Sequence, residues 1–182
     1  MKPVFAGSID NEEIDNAWKI AKSHGLTNIR LSMGEVESIE PTIASLMIDA
    51  MPSLQRILKN AGFKILDNSR LRHFPKTDFT IAQGNVQPHN DDGLGMAALV
   101  LLKVTPFCKS KSVSLTKSPW ESDNFLWANG GLTDIKERDV VVFNGEEEHA
   151  WFCSGRAHFV TVLVTKQRKR KGDIVGLPVP RE

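Results

Sequence analysis

Residues 84–95 read GNVQPHNDDGLG, and residues 143–164 read FNGEEEHAWFCSGRAHFVTVLV. Together these two stretches contain His89, Asp91 and, sixty positions after the first histidine (149 − 89), His149. On an extended backbone His89 and Asp91 project to the same face, because they flank a single residue. Two imidazoles and one carboxylate suit a non-haem Fe(II) centre that keeps three coordination positions open. The two stretches therefore predict one metal site.

Each of these ligands also has a simpler interpretation. A histidine in a strand is often half-buried and bonded to backbone, and Asp91-Asp92-Gly93 is a favourable turn sequence. Asp92 is an alternative ligand, but on an extended backbone it would point to the opposite face from Asp91. His24 and His73 lie outside the pattern, and we interpret them as structural or surface residues.

The bulk composition predicts one domain, over residues 1–182, in a cytoplasmic protein. With 182 residues, 41% of them hydrophobic, the chain can build one substantial core but would be short for two. Lys and Arg number 23 against 22 Asp and Glu, so no global charge attracts nucleic acid or membrane. Cys108 and Cys153 are too few for a disulfide scaffold or a thiolate zinc site, and they fit reduced thiols. We find no signal peptide or membrane-spanning run, and expect no membrane contact.

Hydrophobic periodicity predicts helices in the first third of the chain. Asp10 and Glu13 resemble a capping box that opens a first helix, which ends at His24-Gly25. A second apolar stripe at helical spacing covers positions 41–62. Pro52 interrupts this stripe and should kink or divide the helix.

After position 62 the pattern changes to short runs rich in β-branched and aromatic residues, which is typical of strands. The predicted strands are Phe63–Leu66, Phe79–Ala82, Ala97–Val104, Ser112–Leu115, Val140–Phe143 and Phe159–Thr165. Residues 105–134 have weak patterning, and we predict loop for part of them. The expected organisation is a helical N-terminal support (1–62), a β core (63–166) and a basic C-terminal tail (167–182). The fold class would be mainly β (α+β), a jelly roll backed by helices.

The order of these residues resembles the Fe(II)- and 2-oxoglutarate-dependent oxygenase superfamily. His89-Asn90-Asp91 is followed by a strand reading Asp139-Val140-Val141-Val142-Phe143 and then by His149. The resemblance, which extends from about Arg70 to Lys166, implies a double-stranded β-helix in which the two histidines and Asp91 bind Fe(II). It further implies that 2-oxoglutarate and dioxygen take the open iron positions, and that decarboxylation to succinate is coupled to hydroxylation or oxidative demethylation of a substrate.

The same resemblance implies a basic residue about ten positions after the distal histidine, paired with the C5 carboxylate of 2-oxoglutarate. Arg156, seven positions after His149 (156 − 149), is the first candidate because a guanidinium grips a carboxylate bidentately. His158, nine positions on (158 − 149), would be only partly charged near neutral pH. Lys103, on an earlier predicted strand, is a second candidate, and Thr161 could add a hydroxyl to the same carboxylate.

The prime substrate is less defined by the sequence, and a nucleobase, a protein side chain and a small metabolite all stay open. Trp120, Trp127 and Trp151 form either an aromatic wall over the site or part of the core. One dense basic run is either a solvated tail or a contact for the phosphates of a nucleic acid. Its members are Lys166, Arg168, Lys169, Arg170 and Lys171.

Two further classes of protein remain as alternatives. One is a cupin-like metalloenzyme that does not use 2-oxoglutarate, although the usual His-x-His plus Glu pattern of cupins is absent here. The other is a non-catalytic jelly roll used for binding, in which the histidines are structural. The sequence does not indicate an oligomeric state.

Overall fold

The computed structural model describes residues 1–39, 41–66, 77–91, 95–107, 124–128 and 131–168. The helices are α1 (Asn11–Ser23), α2 (Pro41–Asp49) and α3 (Ser53–Asn60). The strands are β1 (Val4–Ser8), β2 (Val36–Ile39), β3 (Phe63–Ile65), β4 (Thr77–Gln83), β5 (Val86–His89), β6 (Met96–Pro106), β7 (Asn124–Ala128), β8 (Gly131–Ile135), β9 (Asp139–Asn144), β10 (His149–Phe152) and β11 (Gly155–Lys166). Among the described residues, every helix is too short or too polar to cross a bilayer.

The strands form two antiparallel sheets. The larger sheet has the order β1-β9-β6-β11-β4-β2, and β3 pairs with the end of β11. The smaller sheet has the order β5-β10-β7-β8. One face of the larger sheet packs against the helices, and its other face packs towards the smaller sheet. This arrangement is the jelly roll, or double-stranded β-helix, that the sequence predicts.

Two apolar layers hold these elements together. Val100 and Val160 belong to the layer between the larger sheet and the helices, whereas Leu99 and Leu101 belong to the layer between the two sheets. Because both faces of the larger sheet are covered, its central strands β6 and β9 are nearly continuous apolar runs instead of alternating ones. Such runs are easily recognised in a sequence, and both strands were predicted.

Five of the six predicted strands correspond to β3, β4, β6, β9 and β11, and Ser112–Leu115 lies outside the described residues. The segment predicted as partly loop contains β7 and β8. Residues 1–62 supply strands as well as helices, since β1 pairs with β9 and β2 pairs with β4. The exclusively helical description of that segment is therefore corrected. β2 lies exposed at the sheet edge and carries little of the apolar pattern that reveals a strand.

The second predicted helix divides at Pro52, as expected, into α2 and α3. The predicted capping box at the start of α1 does not form, because the Asp10 side chain makes no capping hydrogen bond. Glu13 instead accepts hydrogen bonds from the backbone N–H of Ser53, at 2.8 Å, and from the Ser53 hydroxyl. A carboxylate at the N-terminus of α3 also complements the helix dipole. Glu13 therefore joins the first helix to the third.

Candidate metal centre

The two histidines of the predicted triad are direct cross-strand neighbours in the smaller sheet. His89 ends β5 and His149 begins β10, and the two residues are register partners whose ring centroids lie 4.4 Å apart. Asp91 follows β5 two residues later, and its backbone N–H donates to the carbonyl of Gly145 at 2.8 Å. The antiparallel pairing thus brings together residues separated by sixty positions (149 − 89).

The candidate ligand atoms of the triad converge. The Nε2 atom of His149 lies 3.3 Å from Oδ2 of Asp91, and the Nε2 atom of His89 lies 3.8 Å from Oδ1. One ligand atom from each residue lies within 4.8 Å of the others. Ligands about 2.1 Å from a metal at adjacent positions are separated by roughly 3 Å, so small movements would suffice to place all three around one ion.

Both imidazole rings are oriented by the backbone. Nδ1 of His89 lies 2.7 Å from the carbonyl oxygen of Gln87, and Nδ1 of His149 lies 2.9 Å from that of Glu147. A neutral imidazole that donates from Nδ1 has its lone pair on Nε2. In both rings Nε2 is the atom that faces Asp91. Such an outer hydrogen bond is the usual device that fixes the tautomer and direction of a metal-binding histidine.

Asp91 and His149 each stabilise the charged form of the other. The hydrogen bond from His149 lowers the pKa of Asp91, against an opposing effect of burial, and the charges of His149 and His89 lower it further. Burial acts to lower the pKa of His149, but hydrogen bonds with Asp91 and with the Glu147 carbonyl outweigh it and raise that pKa. A cation that binds between them would displace a proton from His149, so metal affinity should fall at acidic pH.

A cavity of about 510 Å³ lies between the two sheets and includes all three residues of the triad in its wall. Its apolar wall includes Phe143, whose ring lies 5.1 Å from that of His149, and Trp151, whose ring lies 5.5 Å from that of Phe159. The indole N–H of Trp151 is buried. Trp151 is therefore a wall of the cavity as well as a core residue, the two interpretations that the sequence left open.

Two of the predicted 2-oxoglutarate anchors, Arg156 and His158, are not in the cavity. The Nε of Arg156 donates to Oε1 of Gln83 at 2.8 Å, and its Nη1 lies 3.5 Å from the carbonyl of Thr27. His158 is buried on the helix-covered face of the larger sheet, with its ring centroid 4.8 Å from that of Trp18. Arg156 and His158 are two positions apart on β11, so both side chains project to the same face of the sheet, away from the triad.

The third candidate, Lys103, is also outside the cavity, whereas Thr161 lies in its wall. Lys103 is the exposed register partner of His158 on β6. The residue ten positions after His149 (159 − 149) is Phe159, and it lines the cavity. Among the described residues of the cavity wall there is no lysine or arginine. Of the four residues predicted to hold 2-oxoglutarate, the described cavity wall therefore includes Thr161 and does not include Arg156, Lys103 or His158.

Asp78 and Ser38 line the cavity, and sequence reasoning did not select them. The available signal was an ionisable residue within the apolar strand β4, whose sequence is TDFTIAQ. Cys153 is a free, buried cysteine, as expected, and burial raises the pKa of its thiol. His24 is exposed after the end of α1.

Several predicted residues lie wholly or partly outside the described part of the chain. Lys166 and Arg168 of the basic run are described, the first as the exposed last residue of β11. The backbone of Trp127 lies in β7, but its side chain is not described. The residues outside the described ranges are His73, Asp92, Cys108, Trp120, Lys169, Arg170 and Lys171.

No family model matches the sequence, and no curated protein matches it. Solved structures do match. The non-heme alpha ketoglutarate dependent epimerase SnoN from nogalamycin biosynthesis is 10% identical with a TM-score of 0.50, over 99% of this chain and 90% of that one. A prolyl-4-hydroxylase of Pseudomonas putida is 13% identical with a TM-score of 0.45, over 92% and 93%. A cupin superfamily protein of Desulfitobacterium hafniense is 12% identical with a TM-score of 0.34, over 77% and 84%. At such identities the likeness shows the fold alone.

Proposed function

We propose that this protein is a mononuclear non-haem Fe(II) oxygenase that uses 2-oxoglutarate as its co-substrate. The observation that carries the proposal is the triad, in which two backbone-oriented imidazoles present Nε2 to the carboxylate of Asp91. Two histidines and one carboxylate with open positions are the ligand set of non-haem Fe(II) oxygenases. The resemblance of the sequence to that superfamily supports the same assignment.

Each residue of the site would have a distinct role. His89, Asp91 and His149 hold the metal, and the Gln87 and Glu147 carbonyls keep the two rings in place. Bound Fe(II) would supply the activation of dioxygen coupled to decarboxylation of 2-oxoglutarate to succinate. The apolar wall formed by Phe143, Trp151 and Phe159 limits access of water to the substrate carbon. Thr161 offers a hydroxyl to the distal carboxylate of the co-substrate.

The first test is anaerobic addition of Fe(II) and 2-oxoglutarate, followed by absorption spectroscopy. Wild type should develop a visible metal-to-ligand charge-transfer band, and air should then release succinate. Asp91→Ala should lack the band, because loss of a direct ligand should weaken metal binding by more than the ~10–100-fold typical of outer partners. The exposed Glu146, in the turn before β10, offers the matched control Glu146→Ala, which should keep the band. Equal behaviour of Asp91→Ala and wild type would show that the triad is not the metal site.

One observation favours a second candidate, a cupin-like metalloenzyme that does not need 2-oxoglutarate. The described wall of the cavity contains Asp78 and Asp91 but no lysine or arginine to pair with the distal carboxylate of a dicarboxylic acid. This candidate predicts tight binding of Fe(II) by wild type, with no charge-transfer band and no succinate after 2-oxoglutarate is added. The first candidate predicts both signals, so one titration separates them.

A further inference from the structure

Four polar side chains line the cavity on the inner face of the larger sheet. Asp78 and Thr80 lie on β4, Ser38 lies on the edge strand β2, and Thr161 lies on β11. Ser38 is the register partner of Thr80, and Thr161 is the register partner of Asp78. Side chains of register partners point to the same face of a sheet. The four residues, which we call the polar patch, are therefore contiguous.

Asp78 gives the polar patch a negative charge that no lysine or arginine in the described cavity wall offsets. Its carboxylate accepts hydrogen bonds from the Ser38 side chain and from the backbone of Ile39. Burial nevertheless raises the pKa of Asp78, and the charge of Asp91 acts in the same direction. A carboxylate withdrawn from water without a counter-ion is stabilised either by a proton or by a cationic ligand.

A metal at the triad would compensate Asp91 but would leave the polar patch acidic. A bound dicarboxylate would add two further negative charges to the same cavity. The apolar wall formed by Trp151 and Phe159 lines the same cavity as these hydroxyl and carboxylate groups. An alkyl chain that ends in a positively charged nitrogen would match both surfaces, since its stem would contact the rings and its head the carboxylate.

We propose that the polar patch is the substrate-recognition site of the cavity, and that it binds a basic nitrogen, an ammonium or guanidinium group, through Asp78. The inference rests on the proposed function in that it treats the cavity beside the triad as the substrate pocket. The Ser38 and Thr80 hydroxyls supply further acceptors for the N–H groups of such a head, while Thr161 stays available to the co-substrate. The source of the basic nitrogen is either a peptide side chain or a free amine.

The test compares two probes of nearly equal shape, n-butylguanidinium and its uncharged analogue n-butylurea. Binding is measured by calorimetry on anaerobic protein loaded with Fe(II) and 2-oxoglutarate. Wild type should bind the cation at least ten times more tightly than the urea, and Asp78→Asn should lose that preference. Glu37→Gln is the matched control, because it removes one charge next to Ser38 from an exposed position on the other face of β2, and it should keep the preference.

Ser38→Lys provides a second variant on an exposed edge strand, in case Asp78→Asn does not fold. Its ammonium would reach Asp78 from the neighbouring strand and should abolish binding of n-butylguanidinium. Tighter binding of Nα-acetyl-L-arginine methylamide than of n-butylguanidinium would support the proposal with a peptide as the source, and the reverse order would support it with a free amine.

Equal affinity of wild type for cation and urea, or a full cation preference in Asp78→Asn or Ser38→Lys, would overturn this proposal. The charge-transfer band of each preparation reports separately on the metal centre. A preparation with a normal band and no cation preference overturns the role of the polar patch while leaving the oxygenase assignment intact. A preparation that shows the cation preference but no charge-transfer band would overturn the oxygenase assignment and leave the role of the polar patch intact.

Discussion

His158 illustrates how the environment of a single residue separates structure from function. Its ring is 1% exposed, and it stacks on Phe79 at a centroid distance of 6.1 Å. Burial, aided by the charge of Arg156, lowers the pKa of His158 to about 4. The ring is therefore neutral in the folded protein at physiological pH, and it serves as a core side chain.

This lowered pKa predicts a pH-dependent stability. Between pH 6.5 and about 4 the unfolded chain binds a proton at His158 that the folded protein does not, so the free energy of unfolding should fall as the pH falls. The loss is limited to roughly 3 kcal/mol, at about 1.4 kcal/mol for each pH unit. Urea unfolding of wild type and His158→Phe at several pH values measures it, and the variant should show a shallower decline over this interval. His24→Gln, which changes an exposed histidine, should follow wild type, and parallel curves for all three proteins would refute the assignment.

At the scale of elements, the junction of β11 with β6 depends on a glycine. A Cβ atom added to Gly155 would lie 2.4 Å from the carbonyl oxygen of Thr105 and 3.1 Å from the Cα of Pro106. These are backbone atoms of the paired strand, so they cannot move aside without disturbing the register. We expect Gly155→Ala to lower the free energy of unfolding by about 1–3 kcal/mol, measured by urea denaturation.

Gly131 provides the comparison for this substitution. The nearest atom to an added Cβ at Gly131 lies 3.6 Å away, which is an ordinary van der Waals contact. Gly131→Ala should therefore change the free energy of unfolding by no more than about 0.5 kcal/mol. Similar values for the two variants would contradict a close approach between β11 and β6.

The sequence predicts those strands whose burial shows in their own apolar pattern. β6 and β9 are buried on both faces and read as continuous apolar runs, whereas β5 is four residues long, mostly exposed and contains Pro88. Short strands of this kind acquire their place from pairing, here with β10, and not from their own pattern. The smaller sheet was accordingly missed, although two of its strands carry the predicted triad.

The triad could be proposed from sequence because it needs only a local spacing and one distant histidine. The residue that anchors the co-substrate could not be proposed in this way. β11 is buried on both faces, so its pattern does not tell whether the odd-numbered or the even-numbered residues face the cavity. Alternation alone does show that Arg156 and Thr161 point to opposite faces. Only the packing of the helices reveals that Thr161 faces inward. Asp78 was missed for a related reason, since its importance comes from neighbours on other strands.

At the scale of the whole molecule, 23 basic and 22 acidic residues nearly balance, so local distribution decides which polyions can bind. The exposed Lys166 and Arg168 belong to the basic run that was predicted to contact nucleic acid, and the cavity itself is acidic. If phosphates bind this run, a single-stranded oligonucleotide should bind with a steep salt dependence. Replacing Lys166 and Arg168 by Gln should reduce the slope of log affinity against log salt by roughly 1–1.5.

The control for that measurement removes two positive charges elsewhere. Lys19 and Lys22 are exposed on α1, and their double replacement by Gln should leave the slope unchanged. Asp78→Asn should not change it either, because the oligonucleotide backbone would contact the basic run and not the cavity. Absence of binding at low salt, or identical slopes for the two double variants, would remove nucleic acid from the candidate partners.

β11 separates two chemistries on its two faces, with Arg156 and His158 on one and Phe159 and Thr161 on the other. Deleting one residue near Gly155 would shift the following side chains by one position and exchange the faces. Val160 and Val162 would then take the cavity positions of Phe159 and Thr161, and Arg156 would take the position of Gly155, where a Cβ atom meets the backbone of the paired strand. The number of residues between β10 and β11 therefore fixes the chemistry of the cavity as firmly as the identity of the residues that line it.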